Sequence, residues 1–175
     1  MVKIIGAGPG AKDLITVRGM RALQEADVII YAGSLVNEEL LEYAKKECEI
    51  YNSAYMNLDE VIDVIVKAEQ AGKKVVRLHT GDPSIYGAIR EQIEVLATHG
   101  IRCEICPGVS SFLAAAGGRK CGYNLPEVSQ TVILREWKEE HGAGKRKAFA
   151  FGTARRFHGC FFKCGTFKRI AGTVV

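Results

Sequence analysis

Residues Ile5 to Gly19 read IGAGPGAKDLITVRG, and this stretch decides the fold class. A short apolar run that starts at Val2 leads into it, three glycines fall within five positions, and an amphipathic helical pattern follows. Strand, glycine turn and helix in this order bring a ligand close to the backbone, because glycine has no Cβ and tolerates positive φ. The stretch therefore predicts a ligand-binding first turn in an α/β fold.

A dinucleotide is one candidate for that ligand, because Gly6, Gly8 and Ala11 satisfy the loose G-x-G-x-x-G/A fingerprint. Two features count against it. Pro9 lies inside the turn and has no N–H to donate to a phosphate. The carboxylate expected about 20 residues later is absent, since residues 28–34 read VIIYAGS. An NAD- or FAD-linked oxidoreductase therefore remains an alternative, as does a turn that merely connects a strand to a helix.

The length and composition restrict the number of domains and the class of protein further. A chain of 175 residues suits one full domain, or one domain and part of another. No run of about 18 apolar residues is present that would span a membrane. The glycines and proline near the N-terminus interrupt the continuous apolar stretch that a signal peptide needs. We therefore expect a cytoplasmic protein with no membrane partner.

The six cysteines raise the question of a zinc site. Cys103 and Cys106 have the C-x-x-C spacing of zinc ligands, and His158, Cys160 and Cys164 lie near one another in the sequence. The segment around Cys103 reads as a strand, in which residues i and i+3 point to opposite faces. A zinc knuckle needs a turn there, so we expect separate, reduced thiols and no metal.

The first ~115 residues alternate predicted strands and helices, which is typical of a parallel sheet with crossover helices. The pattern predicts strands over 2–5, 28–31, 49–52, 75–78 and 101–106, and helices over 14–25, 38–46, 59–71, 86–98 and from 112 onward. Three loops follow the carboxyl ends of strands, at 6–10, 80–87 and 107–111. Open α/β sheets bind ligands at that edge, so we expect the three loops to meet in one crevice.

Two long motifs resemble the signatures of the tetrapyrrole (corrin and porphyrin) methyltransferases. The first is Ile5 to Gly19, and the second, Val75 to Gly87, reads VVRLHTGDPSIYG. Two further stretches are similar to the branch of the family that methylates precorrin-4, or its cobalt form, at C11: YAGSLV from residue 31 and LPEVSQTVIL from residue 125. The resemblance covers residues 1–134.

The resemblance implies S-adenosylmethionine as the methyl donor and a tetrapyrrole as the small-molecule substrate. Members of the family have two α/β domains, with the donor folded in the cleft between them and the macrocycle in a trough above. Members of the family are usually homodimers. The sequence alone does not determine the oligomeric state of this chain. Carried over by motif, the donor pocket is expected to be lined by Pro9, Thr80, Gly81, Asp82, Ser110 and Ser111. The substrate trough is expected to be lined by Gly6, Gly8, Gly10 and Tyr86.

Methyl transfer from a sulfonium to carbon is an in-line displacement that needs no protein nucleophile, so no catalytic residue is assigned. Asp82 either attracts the sulfonium, holds hydroxyls of the donor, or has the purely structural role of capping the helix that follows. Arg18, Arg90 and Arg119 are candidates to pair with carboxylates of the substrate, although a solvated surface suits each of them better.

The resemblance divides the chain into three parts: a methylase domain over 1–117, a linker with the first strand of a second domain over 118–134, and a tail over 135–175. From residue 141 onward the tail carries eight of the 24 basic residues and none of the 20 acidic ones. It lacks helical periodicity, so we expect it to be disordered. Most of the second α/β domain is then missing, and we expect weak or absent methyltransferase activity.

A frameshift near residues 133–136 is our hypothesis for the change of character in the tail. Ordinary synonymous codons for residues 154–175, read one nucleotide later, encode a strand and an amphipathic helix that resemble the family's second domain. The coding DNA decides this hypothesis. An alternative function for the tail is non-catalytic binding of single-stranded nucleic acid through Arg155, Arg156 and neighbouring phenylalanines. Composition alone disfavours it, and we expect no nucleic-acid partner.

Overall fold

A computed structural model describes residues 1–120, 122–124, 126–127, 130–136 and 158–162. The chain forms two compact units, Met1–Ala114 and Ala115–Val175. The strands and helices occur in the order β1 (Val2–Gly6), α1 (Val17–Glu25), β2 (Val28–Tyr31), β3 (Glu49–Asn52), α2 (Leu58–Gln70), β4 (Val75–His79), α3 (Ile89–Thr98), β5 (Cys103–Cys106), α4 (Ser111–Arg119), β6 (Val132–Glu136) and β7 (His158–Phe162). Short 3₁₀ segments lie at Lys12–Leu14, Gly33–Leu35, Glu38–Tyr43 and Ser53–Tyr55.

The first unit is built on a parallel sheet with the strand order β3-β2-β4-β1-β5. Every strand ends at the same edge, so the loops that follow β1, β4 and β5 start side by side. The predicted α/β class with a parallel sheet is confirmed. In the second unit, β6 and β7 pair in parallel.

Two apolar layers cover the two faces of the sheet, because successive strand residues point to opposite sides. One layer packs β-strand side chains against α1 and the segment that contains Leu40, and includes Ile5, Leu23, Ile29 and Leu78. The other packs them against α2 and α3, and includes Val2, Ile30, Ile65, Val75 and Leu96. The central strands β2 and β4 are buried at every position.

Three predicted helices differ from the observed elements in extent or type. The first begins at Val17, not at 14, because the Thr16 hydroxyl accepts the Gly19 N–H (3.1 Å) and caps the helix. The segment predicted as a helix over 38–46 is the 3₁₀ segment Glu38–Tyr43, with Asn37 at its N-cap. The helix predicted from residue 86 starts only at Ile89.

The delayed start of α3 has a backbone cause. Tyr86 and Ala88 adopt positive φ values of 55° and 48°, which an α-helix excludes. By contrast, α2 follows the sequence pattern closely. Its N-cap Asn57 and Glu60 form a reciprocal capping box, and Gly72 beyond its end has a φ of +70°.

The cysteine pair predicted to lie on a strand does so. Cys103 packs against the apolar layer of α2 and α3, whereas Cys106 belongs to the layer on the other face. Their thiols therefore point to opposite sides of β5, which starts at Cys103 and not at 101. Within the tail that was expected to lack structure, residues 158–162 form β7. Residues 137–157 and 163–175 of that tail, and with them Cys164, lie outside the described residues.

Candidate functional site

The three loops predicted to converge meet at the carboxyl edge of the sheet. Gly8 and Gly81 form an antiparallel bridge, in which the Gly8 N–H donates to the Gly81 carbonyl (3.2 Å) and the Gly81 N–H donates to the Gly8 carbonyl (2.9 Å). Gly6 contacts the third loop: a Cβ on Gly6 would lie 2.5 Å from the Cα of Gly108 and from the Gly81 oxygen. Backbone therefore packs on backbone where loops 6–10, 80–87 and 107–111 come together.

Glycine is required at this meeting point for two separate reasons. Gly8 and Gly81 have φ values of +80° and +57°, a region that L-residues with a Cβ rarely adopt. Gly6 and Gly108 instead lack the space for a side chain, since a Cβ on Gly108 would lie 2.1 Å from the Gly81 oxygen. The glycine motif thus serves the contact between loops as well as any ligand.

Asp82 joins two of the loops through its carboxylate. Its Oδ1 accepts the N–H of Ser84 (2.8 Å), which closes a local turn in loop 80–87. Its Oδ2 accepts the N–H of Gly108 (2.9 Å), which lies in the loop after β5. The suggested role of Asp82 as a helix cap is wrong, because α3 begins at Ile89 with Ala88 at its N-cap and without a side-chain cap.

The residues predicted for the donor pocket lie together. A Cβ on Gly81 would lie 3.6 Å from the Cα and 3.8 Å from the Oγ of Ser110, and 3.8 Å from the N of Ser111. Pro9 and Thr80 are the chain neighbours of the bridged glycines. Ser110 is buried, and the others are partly exposed. The structure therefore brings all six predicted residues to one place, and their contact with a donor stays a prediction.

The residues predicted for the substrate trough differ in how far they are buried. Gly6 and Gly8 are buried, and a Cβ on Gly8 would lie 2.9 Å from the Leu14 oxygen, so internal packing alone explains both glycines. Gly10 borders open space, with nothing within 4 Å of a Cβ placed on it. Tyr86 is 59% exposed at the far end of its loop. Gly10 and Tyr86 are therefore the members of this set that a large ligand can reach.

Asn37, which caps the 3₁₀ segment Glu38–Tyr43, also holds the first loop. Asn37 accepts the Glu39 N–H with its Oδ1 and donates from Nδ2 to the Gly10 carbonyl (2.8 Å). This second bond joins the end of the glycine loop to the segment after β2. No local pattern signals it, because it links residues far apart in the sequence.

Two polar side chains buried in β4 were also missed. The Arg77 guanidinium donates from Nε to Gln92 (3.2 Å), from Nη1 to the Ile30 carbonyl (3.1 Å), and from Nη2 to the Ser53 hydroxyl (3.0 Å). Burial lowers its pKa to about 10. The strand predicted over 75–78 contains this arginine, and a charged residue in an otherwise apolar strand was the available signal for a polar network inside the fold.

His79 lies two residues beyond Arg77, on the same face of β4 and directly before loop 80–87. The imidazole is 5% exposed, and its Nε2 finds no hydrogen-bond partner in the part of the chain that the structure describes. Burial, together with the positive charge of Arg77, lowers the pKa of His79 to about 4. The side chain is therefore neutral at pH 7.

The arginines proposed for substrate carboxylates lie on the surface. Arg18 and Arg119 are exposed, and Arg90 pairs with Glu94 at 2.7 Å across one helical turn. Within the described residues, no contact places Arg18 or Arg90 at the meeting point of the three loops. Of the helices that the structure describes, none has the length and apolar character needed to cross a membrane.

A parallel sheet whose carboxyl edge gathers glycine turns, hydroxyl side chains and a carboxylate is typical of α/β proteins that bind small ligands at that edge. The family model of the tetrapyrrole (corrin/porphyrin) methylases matches residues 1–158, and the chain belongs to that family.

Comparison with individual proteins agrees with this membership. The chain is 68% identical, over 133 residues, to the cobalt-precorrin-4 C(11)-methyltransferase of Methanocaldococcus jannaschii, a match that covers 76% of this chain and 51% of the relative. The X-ray structure of a cobalamin biosynthetic enzyme, cobalt precorrin-4 methyltransferase, superposes with a TM-score of 0.77 at 44% identity, covering 83% of this chain and 60% of the other.

A second solved structure contains a bound ligand. It is the uroporphyrin-III C-methyltransferase of Thermus thermophilus complexed with S-adenosylhomocysteine, with a TM-score of 0.66 and 31% identity, and it covers 81% of this chain and 57% of the other. The chain spans about half the length of the curated relatives it matches.

Proposed function

We propose that this chain carries the donor-binding part of an S-adenosylmethionine-dependent C-methyltransferase that acts on a corrin precursor, cobalt-precorrin-4, at C11. The observation that carries the proposal is the meeting of loops 6–10, 80–87 and 107–111 at one edge of the sheet. The names of the Methanocaldococcus jannaschii relative and of the superposed X-ray structure support the cobalt form of the substrate.

The residues at this edge fit the donor. Thr80, Ser110 and Ser111 offer hydroxyls, and the glycine turns offer backbone, to a ligand that carries ribose hydroxyls and an amino-acid group. Asp82 is the one formally charged residue among the six predicted for the pocket, and its negative charge favours a cationic ligand at this edge without contact between the carboxylate and the sulfonium. When bound, S-adenosylmethionine supplies an electrophilic methyl group. The Thermus thermophilus relative complexed with S-adenosylhomocysteine supports the same ligand.

In this proposal, the chain contributes to the reaction by holding the donor and orienting it. Backbone hydrogen bonds between Gly8 and Gly81, and the bond from Gly108 to Asp82, fix the loops before any ligand arrives. A pair of well-positioned reactants is worth roughly 7–11 kcal/mol of the barrier, so positioning accounts for much of the catalysis that such a site needs.

Isothermal titration of the 175-residue chain with S-adenosylhomocysteine tests donor binding. We expect saturable binding that Ser110→Ala weakens, because Ser110 lies beside Gly81 in the proposed pocket. Thr98→Ala is the matched control: it also removes a hydroxyl, but at the end of α3 just before β5, and we expect unchanged affinity. Binding of NAD or FAD in place of S-adenosylhomocysteine would instead support an oxidoreductase.

Transfer of a labelled methyl group to cobalt-precorrin-4 or to metal-free precorrin-4 tests the substrate. We expect weak turnover, because the chain spans about half the length of its relatives. We expect a preference for the cobalt form, because the named relatives are cobalt-precorrin-4 methyltransferases. A preference for the metal-free substrate refutes the proposed substrate, and full turnover refutes the expected impairment.

A further inference from the structure

We propose that Asp82 is a positioning residue, which locks the loop after β5 onto the loop after β4 and does not itself bind the methyl donor. The inference rests on the proposed function for the identity of the ligand. It assigns a role to the carboxylate of the site, for which the sequence left several roles open.

Two backbone hydrogen bonds hold the Asp82 carboxylate in place. Each of its oxygens already accepts a backbone N–H, Oδ1 from Ser84 at 2.8 Å and Oδ2 from Gly108 at 2.9 Å. Hydrogen bonds to an ionised carboxylate are stronger than those between neutral groups. These two bonds fix the orientation of the carboxylate, because turning it toward a ligand would break one or both of them.

Gly108 packs tightly against the backbone of the other two loops. A Cβ on Gly108 would lie 2.1 Å from the Gly81 oxygen and 2.7 Å from the Cα of Gly6, so the loop after β5 lies in backbone contact with both other loops. Two glycines in contact have no side chains with which to hold one another. The hydrogen bond from Gly108 to Asp82 supplies an attachment at this place.

The consequence reaches the proposed donor pocket. Ser110 and Ser111 follow Gly108 closely in the chain, and they lie against Gly81 only while the loop after β5 stays in place. If Gly108 is released, the Ser110 hydroxyl and the Ser111 backbone lose their position relative to Gly81. Removing the Asp82 carboxylate therefore weakens donor binding without the loss of any direct contact to the donor.

Amide hydrogen exchange of the ligand-free chain, measured residue by residue by NMR, tests the lock itself. We expect Asp82→Ala to accelerate exchange at Gly108 by roughly ten- to a hundredfold, the equivalent of one hydrogen bond to a charged group. Asp82→Asn keeps a neutral acceptor, so its exchange rate at Gly108 should lie between those of the unsubstituted chain and Asp82→Ala. The control Asp63→Ala removes an exposed carboxylate from α2 and should leave Gly108 unchanged. Unchanged protection of Gly108 in Asp82→Ala overturns the proposal.

Titration with S-adenosylhomocysteine tests how Asp82 acts on the pocket. We expect Asp82→Ala to lower the affinity by roughly ten- to a hundredfold. Gly108→Ala forces the same loop away, so the double variant should bind no more weakly than the weaker single variant. Additive losses, or a loss of affinity with normal protection of Gly108, would identify Asp82 as a direct ligand. If the unsubstituted chain binds no S-adenosylhomocysteine, the proposed function fails, and the exchange experiment still decides whether the lock exists.

Discussion

Gly6 is the clearest case of a residue whose identity follows from space alone. It ends β1, is buried, and touches the backbone of Gly81 and Gly108, so that three strands can deliver their loops to one point. A side chain there would separate the loops. His79 is the opposite case: its buried Nε2 finds no partner among the described residues, which costs stability, and the ring is tolerated there only in its neutral form.

Gly6→Ala should destabilise the fold by roughly 1–3 kcal/mol, because the new Cβ would lie 2.5 Å from two backbone atoms that cannot move independently. Urea unfolding followed by circular dichroism measures the change. Gly117→Ala is the matched control, since a Cβ at that position of α4 meets nothing within 4 Å. The control should be neutral or stabilising, and equal losses in the two variants would contradict this account.

His79 should make the fold less stable in acid. The pKa of the imidazole is lowered from 6.5 to about 4, so the unfolded chain binds more protons than the folded chain between these values. Stability from this group is therefore complete above pH 6.5 and decreases as the pH falls to 4, by up to about 3 kcal/mol. Urea unfolding across this range should show a smaller pH dependence for His79→Gln.

The exposed His99 at the end of α3 provides the control for that experiment. His99→Gln should keep the full pH dependence, because removing a solvent-exposed ring leaves the buried one in place. A His79→Gln variant whose stability varies with pH as steeply as that of the unsubstituted chain would show that the burial of His79 has no such cost.

At the scale of elements, β4 organises the sheet. It lies between β1 and β2, and its side chains on one face connect to α3 and to the Ser53–Tyr55 turn through Arg77. The Ser53 hydroxyl in turn donates to the Tyr31 carbonyl at 3.0 Å. A single guanidinium thus connects a helix, a neighbouring strand and a turn, and the compact ammonium group of a lysine cannot match this geometry.

Arg77→Lys should lower the free energy of unfolding by roughly 2–3 kcal/mol, because the three donors of a lysine lie on one nitrogen and cannot span the separate acceptors that the three guanidinium nitrogens reach. Chemical denaturation measures the difference. Arg102→Lys makes the same substitution at an exposed site and should have little effect. If both variants unfold at the same denaturant concentration as the original chain, the network contributes nothing measurable.

At the scale of the whole molecule, both apolar layers of the sheet are formed by residues between Val2 and Cys106. The carboxyl edge with two of its three loops belongs to the same stretch of chain, and loop 107–111 follows it directly. The frameshift hypothesis for the segment after Leu134 stays a prediction, and reading the codons for residues 130–140 decides it.

A chain shortened to end at Arg119 should therefore still unfold cooperatively, because no member of either apolar layer is removed. Thermal unfolding followed by circular dichroism, compared with that of the full chain, tests the expectation. The absence of a cooperative transition in the shortened chain would mean that later residues are needed for the sheet to form.

Local patterns determined the elements and their order. Alternating apolar runs, glycine turns and caps such as Asn57 specify strands and helices because they act within a few residues. They also predicted the edge at which the loops meet, because strands of a parallel sheet all end on one side. The start of α3 was missed, since the positive φ of Tyr86 and Ala88 depends on how the loop packs.

Only the tertiary structure decided which glycines lack room and which have a strained φ, and what the buried polar groups contact. The bonds from Gly108 to Asp82 and from Arg77 to Ile30 join residues more than 20 positions apart. No periodicity encodes such pairs, because they depend on the register of neighbouring strands. The sequence therefore determined where a site would form, and the packing of the sheet determined which of its residues hold it together.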